Sequence, residues 1–199
     1  VPTGVAMRDV REQLFTAAER ILLRAGPSGL TSRAVTTEAG CAKGVLHRHF
    51  ADFDAFLAEL VLDRIGRIDA QAVALRDSAG TGTVAGNLTG ALTGVFESVA
   101  VAIVGLITFR DELRARLRQT RPAGIPLLAE ATTMIASYLA AEREMGRIAV
   151  DADVDTLALT LIGTAHLLYA GREGAPPEAG AVEKVVTTVM ADVVQRRLL

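Results

Sequence analysis

The chain has 199 residues, half of them hydrophobic, only 4% aromatic and none tryptophan, with a formal net charge of −2. That length allows a sizeable core in one small and one larger domain, and a composition rich in alanine, valine and leucine suits close-packed helices more than strands. Cys41 is the only cysteine, which excludes an internal disulfide and makes a reducing cytoplasm the simpler setting.

The charge is uneven along the chain. Residues 1–50 hold seven Lys/Arg against four Asp/Glu, a net +3, which leaves fourteen against nineteen, a net −5, for the remainder. A mildly basic head on an acidic body is what a DNA reader with a separate sensing or pairing domain requires. The opening VPTGVAMRDV lacks the apolar core of a signal peptide. Two strongly apolar uncharged runs, between Ser98 and Arg110 and from Thr156 to Gly171, are shorter than the roughly twenty residues that span a bilayer. Both read as buried helices, and no membrane partner is expected.

In chain order, Val10, Leu14, Ala17, Ala18, Ile21 and Leu22 recur at helical spacing and predict a first helix from about Arg8 to Arg24, stopped by Gly26-Pro27-Ser28-Gly29. The next stretch, TSRAVTTEAGCAKGVLHRHF from Thr31 to Phe50, reads as two short helices broken by a glycine turn. Thr31 or Ser32 caps the first, and Ala34, Val35 and Ala39 share a face. Gly40 ends it, because a glycine past a helix end takes the left-handed conformation without a Cβ clash. The chain restarts at Lys43, anchored inward by Val45, Leu46 and Phe50. Thr36, Ala39 and Gly40 keep the crossing point small. Lys43, Gly44, His47, Arg48 and His49 then face outward, a surface that attracts phosphates and suits a helix entering a major groove. An ordinary helical hairpin with a solvated basic face is the plainer alternative.

An ordered series of residues resembles the DNA-binding domain of the TetR family of transcriptional regulators over about the first sixty residues. It comprises Gly26, Gly29, Leu30, Thr31, Val35, Ala39, Gly40, Lys43, Gly44, Leu46, His49, Phe50, Phe56 and Leu57. The resemblance implies a three-helix head, a helical body and a homodimer. This chain departs from the family's pattern at four positions. Thr36 stands for an alanine under the turn, Ala42 for a serine at the start of the reading helix, His47 for a phosphate-contacting tyrosine, and Phe53 for a phosphate-contacting lysine. The last two bear on affinity and phosphate register more than on fold.

Asp52 is a good N-cap for a following helix with Phe53, Phe56, Leu57, Leu60, Val61 and Ile65 on one face, a candidate transmission helix between the two halves. From Ala79 to Gly94 the chain is rich in Gly, Thr and Ala, and Leu92 to Ile107 forms a continuous apolar series. In RDELRARLRQTR the acids and bases interleave, as on a solvated helix, rather than forming a second nucleic-acid patch. Helices are predicted over Leu127 to Met145, Val154 to Ala170 and Val182 to Leu198. The last two carry apolar seams that would be a liability in a monomer, so pairing with a second copy as a four-helix interface is expected.

No catalytic constellation, cofactor motif or metal-ligand spacing is present: His47 and His49, two apart, diverge on a helix, and Cys41 is isolated. The expected architecture is all-α, with a helix-turn-helix DNA-binding head over residues 1–51 and a ligand-binding and dimerisation body over 52–199. The expected function is that of a non-enzymatic, cytoplasmic, homodimeric regulator, a repressor of a near-palindromic operator released by a small hydrophobic ligand. The expected DNA-binding residues are Thr31, Arg33, Ala42, Lys43, Gly44, Val45, His47, Arg48 and His49, with Val45 suited to a thymine methyl. Phe96, Leu106, Phe109, Arg110, Met134, Tyr138 and His166 are candidate ligand-binding residues in the body, although buried polar groups there ordinarily find protein partners. Two other readings stay open: a helical ligand carrier or enzyme that keeps the head as scaffold, and a protein-interaction module.

Overall fold

A computed structural model describes residues 3–170 and 177–194, with side chains from Val10 onward. Among the described residues the chain is helical, in the order α1 (Thr3–Gly29), α2 (Ser32–Glu38), α3 (Gly44–His49), α4 (Phe53–Asp77), α5 (Val84–Phe96), α6 (Ala100–Phe109), α7 (Asp111–Arg118), α8 (Leu128–Glu144), α9 (Val154–Ala170) and α10 (Ala181–Met190). They form two compact units, residues 1–63 with 102–123 and residues 64–101 with 124–199. α4 contributes residues to both.

The first unit is the head together with α7 and most of α6. Leu14, Ala18, Ile21 and Leu22 of α1 are buried, as are Val35 of α2 and Leu46 of α3. Phe50, just after α3, lies 6.0 Å from Phe15 of α1 and 5.1 Å, edge-on, from Phe56 of α4. These rings tie α1, α3 and α4 together, and α3, with six residues, is too short to be stable alone. Arg24 of α1 pairs with Glu38 of α2 at 3.1 Å. α1 runs past the expected stop to Gly29, but Gly26 breaks it at φ 67, ψ −174, and Pro27 opens one further turn. Glycine alone takes that conformation without strain, and proline's fixed φ suits a first helical position.

In the second unit α8 packs on α9, while α10 packs on α5 and α9. Leu88 and Leu92 of α5, Ile135 and Leu139 of α8, Leu161 of α9 and Val186 of α10 are all buried, each contributing about 1.5–3 kcal/mol on removal from water. Tyr138 and Glu142 are 0% exposed. The Tyr138 hydroxyl donates to Glu142 Oε1 at 2.6 Å and accepts from Asn87 Nδ2 at 3.0 Å, while Gly80 N donates to the same Oε1 at 3.3 Å. Arg147 Nε stands 3.1 Å from Glu142 Oε2, an ion pair rather than an aligned hydrogen bond. The carboxylate is buried because these partners surround it. Burial, with the neighbouring carboxylate, holds the Tyr138 phenol well above its ordinary range.

Three expectations about elements are corrected. The apolar series from Leu92 to Ile107 is two helices, broken at residues 97–99, where Ser98 Oγ donates to Val95 O at 2.6 Å and accepts from Ala100 N at 3.2 Å. A serine that bonds its own backbone competes with helix continuation. α9, read from its uncharged run as a buried helix, leaves Leu159 65% and Leu167 72% exposed in the single chain. The final helix, expected to reach Leu198, ends at Met190. Val194 forms an antiparallel bridge with Ile148, and Ala149 N donates to Val193 O at 2.7 Å. β-branched valines lose little by leaving a helix end for a strand-like pairing. Residues 195–199 lie outside the described residues. Val182, Val186 and Met190 of the expected seam are buried within their own chain.

Candidate nucleic-acid interface

The α2–turn–α3 geometry follows from four local choices. Thr31, extended at φ −128, accepts a hydrogen bond from Ala34 N at 3.1 Å and so caps α2. Thr36 is buried, and its hydroxyl reaches Ser32 O and Arg33 O, both at 3.1 Å, so the larger side chain under the turn carries its own polar satisfaction. Gly40 takes φ 65, and Cys41 N closes the turn on Thr36 O at 3.0 Å. Val45 N then donates to Ala42 O at 2.9 Å, and α3 begins.

At 3.6 residues per turn, Lys43, His47, Gly44 and Arg48 fall on an arc of about 140°, opposite Leu46. The burial pattern matches: Leu46 is buried, whereas Lys43, Gly44, His47 and Arg48 are exposed, as are Thr31, Arg33 and Ala42. Val45, half-buried, borders the arc next to Arg48, whereas His49, also half-buried, lies across the helix from it. The His49 ring sits 6.5 Å from that of Phe50, and Arg11 Nη1 donates to His49 O at 3.5 Å. Of the nine residues expected at DNA, seven are therefore solvent-facing on α2, the turn and α3.

Other charged groups gather beside the start of α4. Asp52 accepts from Ala55 N at 2.6 Å and caps the helix. That backbone bond, together with the Arg116 guanidinium, holds its carboxyl below the usual carboxylate range. Arg116 Nη2 lies 2.9 Å from Asp52 Oδ2, and Arg110 Nε lies 2.8 Å from Asp54 Oδ1. The Arg110 guanidinium also stands 5.3 Å above the Phe53 ring, and that of Arg11 4.6 Å above Phe50 while pairing with Glu59. Sequence reasoning missed these partners: 64 and 56 residues separate the two carboxylate–arginine pairs, and only the density of arginine in α7 hinted at them.

The seven candidate ligand residues divide between the units. Leu106, Phe109 and Arg110 belong to the first, with Leu106 buried, Phe109 86% exposed and Arg110 engaged by Asp54. Phe96, Met134, Tyr138 and His166 belong to the second. There Phe96 lies 6.0 Å from the His166 ring and 5.8 Å from Tyr169, on which it stacks. His166 Nδ1 is buried with no hydrogen-bond partner among the described residues, and burial lowers its pKa from the ordinary histidine value. Met134 is buried, and Tyr138 is engaged by Asn87 and Glu142. Among the described residues, no group of three or more His, Cys, Asp or Glu is placed to hold a metal ion, and no single helix is long and apolar enough to cross a membrane.

Residues 14–60, spanning α1 to the first turns of α4, match the family model described as bacterial regulatory proteins, tetR family. That match covers the head of the chain, 47 of its 199 residues. No curated protein matches the chain. Solved structures share the fold over nearly its whole length. A TetR-family transcriptional regulator from Agrobacterium tumefaciens superposes with a TM-score of 0.72 at 12% identity, over 95% of this chain and 100% of that one. E. coli NemR in its reduced form gives 0.71 at 13%, over 95% and 100%. Bacillus subtilis FadR, solved with stearoyl-CoA, gives 0.67 at 15%, over 91% and 98%. At these identities the likeness concerns the fold, an all-α architecture with a helix-turn-helix head and a larger helical body.

Proposed function

We propose that this protein is a cytoplasmic, homodimeric repressor of the tetR family that reads a near-palindromic operator and is released by a small hydrophobic ligand. The observation that carries the reading is the exposed arc of Lys43, Gly44, His47 and Arg48 on a helix held by buried Leu46 and by the Phe15–Phe50–Phe56 cluster. Cationic groups on that arc hold phosphates, Gly44 permits close backbone approach, and Val45 at its edge suits a thymine methyl. Thr31 and Arg33 approach the same backbone from the start of α2.

The dimer is supported by α9, where Leu159, Gly163 and Leu167 recur every fourth residue along one exposed stripe. Such a stripe is covered at low cost by the same stripe of a second copy, an isologous contact through the last helices. The ligand reading is supported by the Phe96–His166–Tyr169 group, apolar but with one unsatisfied ring nitrogen, and by a similar fold holding stearoyl-CoA in Bacillus subtilis FadR. A ligand that favours one arrangement of the two reading helices by about 1–3 kcal/mol lowers operator affinity roughly 5- to 150-fold. α4, the continuous helix with residues in both units, is the element through which that preference passes.

Selection of bound duplexes from random DNA tests the proposal. The expected outcome is enrichment of paired, inverted half-sites whose centres lie one helical turn apart, about 34–36 Å, or a multiple of it. Failure to enrich any sequence contradicts it.

A further inference from the structure

α3 ends at His49, and the chain that follows it, Ala51 to Asp54, carries two carboxylates and no cation. Asp52 is three residues beyond His49, at most about 11 Å of chain. At physiological salt, charges act over about 8 Å. Left alone, Asp52 and Asp54 would repel the DNA backbone that flanks a helix lying in the groove.

They are not left alone. Arg116 and Arg110 reach them at 2.9 and 2.8 Å from a part of the chain that folds with the head, residues 102–123. Both arginine side chains remain partly exposed, at 41% for Arg116 and 34% for Arg110. An exposed pair such as Arg116–Asp52 adds only about 0–1 kcal/mol to folding, and the part-buried Arg110–Asp54 pair sets its attraction against a desolvation cost, so stability gives little reason for the two. Arginine offers five N–H donors in a rigid fork and can hold a carboxylate with one edge while another donates to a phosphate. The Phe53 ring beneath Arg110 fixes the plane of that fork, which reduces the entropy cost of binding.

We propose that Arg110 and Arg116 are part of the DNA-facing surface, neutralising the acidic flank of α3 and donating to phosphates beside the reading helix. The inference rests on the reading of α3 as the DNA-binding helix. It assigns to α7 and to Arg110 at its N-terminus, outside the helix-turn-helix, a share of backbone recognition, and it gives Arg110 a partner other than a ligand in the body.

The test is titration of the selected operator across a salt series. Replacing both arginines by alanine is expected to weaken binding severalfold and to shallow the log–log salt slope by about 1 for each phosphate that is no longer neutralised. R110K/R116K, which keeps the charge, is expected to retain most of the slope. D52N/D54N, in which asparagine still caps α4, is expected to bind as tightly as wild type or more tightly. Alanine variants that match wild type at every salt concentration overturn the proposal. So do lysine variants that weaken as much as alanine, which would make the role one of packing, and so does weaker binding by D52N/D54N, which stays informative if the alanine protein does not fold. A wild-type protein that binds no duplex removes the reading of α3 and this inference with it, whereas wild-type binding with unchanged variants removes this inference alone.

Discussion

A single imidazole shows how burial turns into a measurable property. Burial lowers the His166 pKa, so the folded protein takes up that proton at lower pH than the unfolded chain does. Unfolding therefore binds a proton in that window, and stability is lost as pH falls from about 6.5, the ordinary histidine value, toward the lower folded one. Thermal melts of wild type should lose more between about pH 7 and pH 5 than those of His166→Phe, and parallel curves would show that His166 is not the linked group. Thr36 and Tyr138 make a related point. Each is a polar residue that sequence reading could place inward but not pair. Thr36 bonds back to its own helix, and Tyr138 bonds to Asn87 and Glu142. Tyr138 reads as a ligand candidate in sequence because its partner Asn87 lies 51 residues away, beyond any local pattern.

At the scale of elements, the helices most legible in the sequence are those whose ends have a side-chain or backbone cause. Thr31 and Asp52 cap α2 and α4, Gly40 turns the chain between α2 and α3, and Gly146, at φ 69, follows the end of α8. Boundaries set by tertiary packing are less legible. Ser98 breaks an apolar run with no glycine or proline at the break, and α10 stops where Val193 and Val194 find Ala149 and Ile148. The arginines of α7 read as a solvated face and are largely that, but Arg116 and neighbouring Arg110 also close on carboxylates at the start of α4. Two glycines separate backbone cost from packing cost, because a Cβ at either Gly40 or Gly90 would meet nothing within 4 Å. Gly40→Ala, at φ +65, should destabilise the protein by about 1–2 kcal/mol, while Gly90→Ala, inside α5, should stabilise it by about 0.5–1 kcal/mol. Urea unfolding checks both, and shifts of the same sign would contradict the conformational account of the turn.

For the whole molecule, composition and periodicity made the all-helical class and the basic head readable, because both depend on local spacing. That α9 carries more apolar surface than one copy covers was readable, but which of its faces stays exposed was not, since an apolar helix looks the same in sequence whether a neighbour in its own chain or a second copy covers a given side. Leu159→Glu with Leu167→Glu should convert the proposed dimer to monomer in sedimentation equilibrium without loss of helix content, and an unchanged mass would place the interface elsewhere. The central claim is that the outward arc of α3 reads DNA. Its most direct measurement is titration of the selected operator with wild type and with Lys43→Ala/Arg48→Ala over a range of salt concentrations. The account predicts weaker binding by the variant and a salt slope shallower by about 2, because two cations have been taken from the phosphate-facing arc. Curves that coincide with wild type at every salt concentration would contradict it.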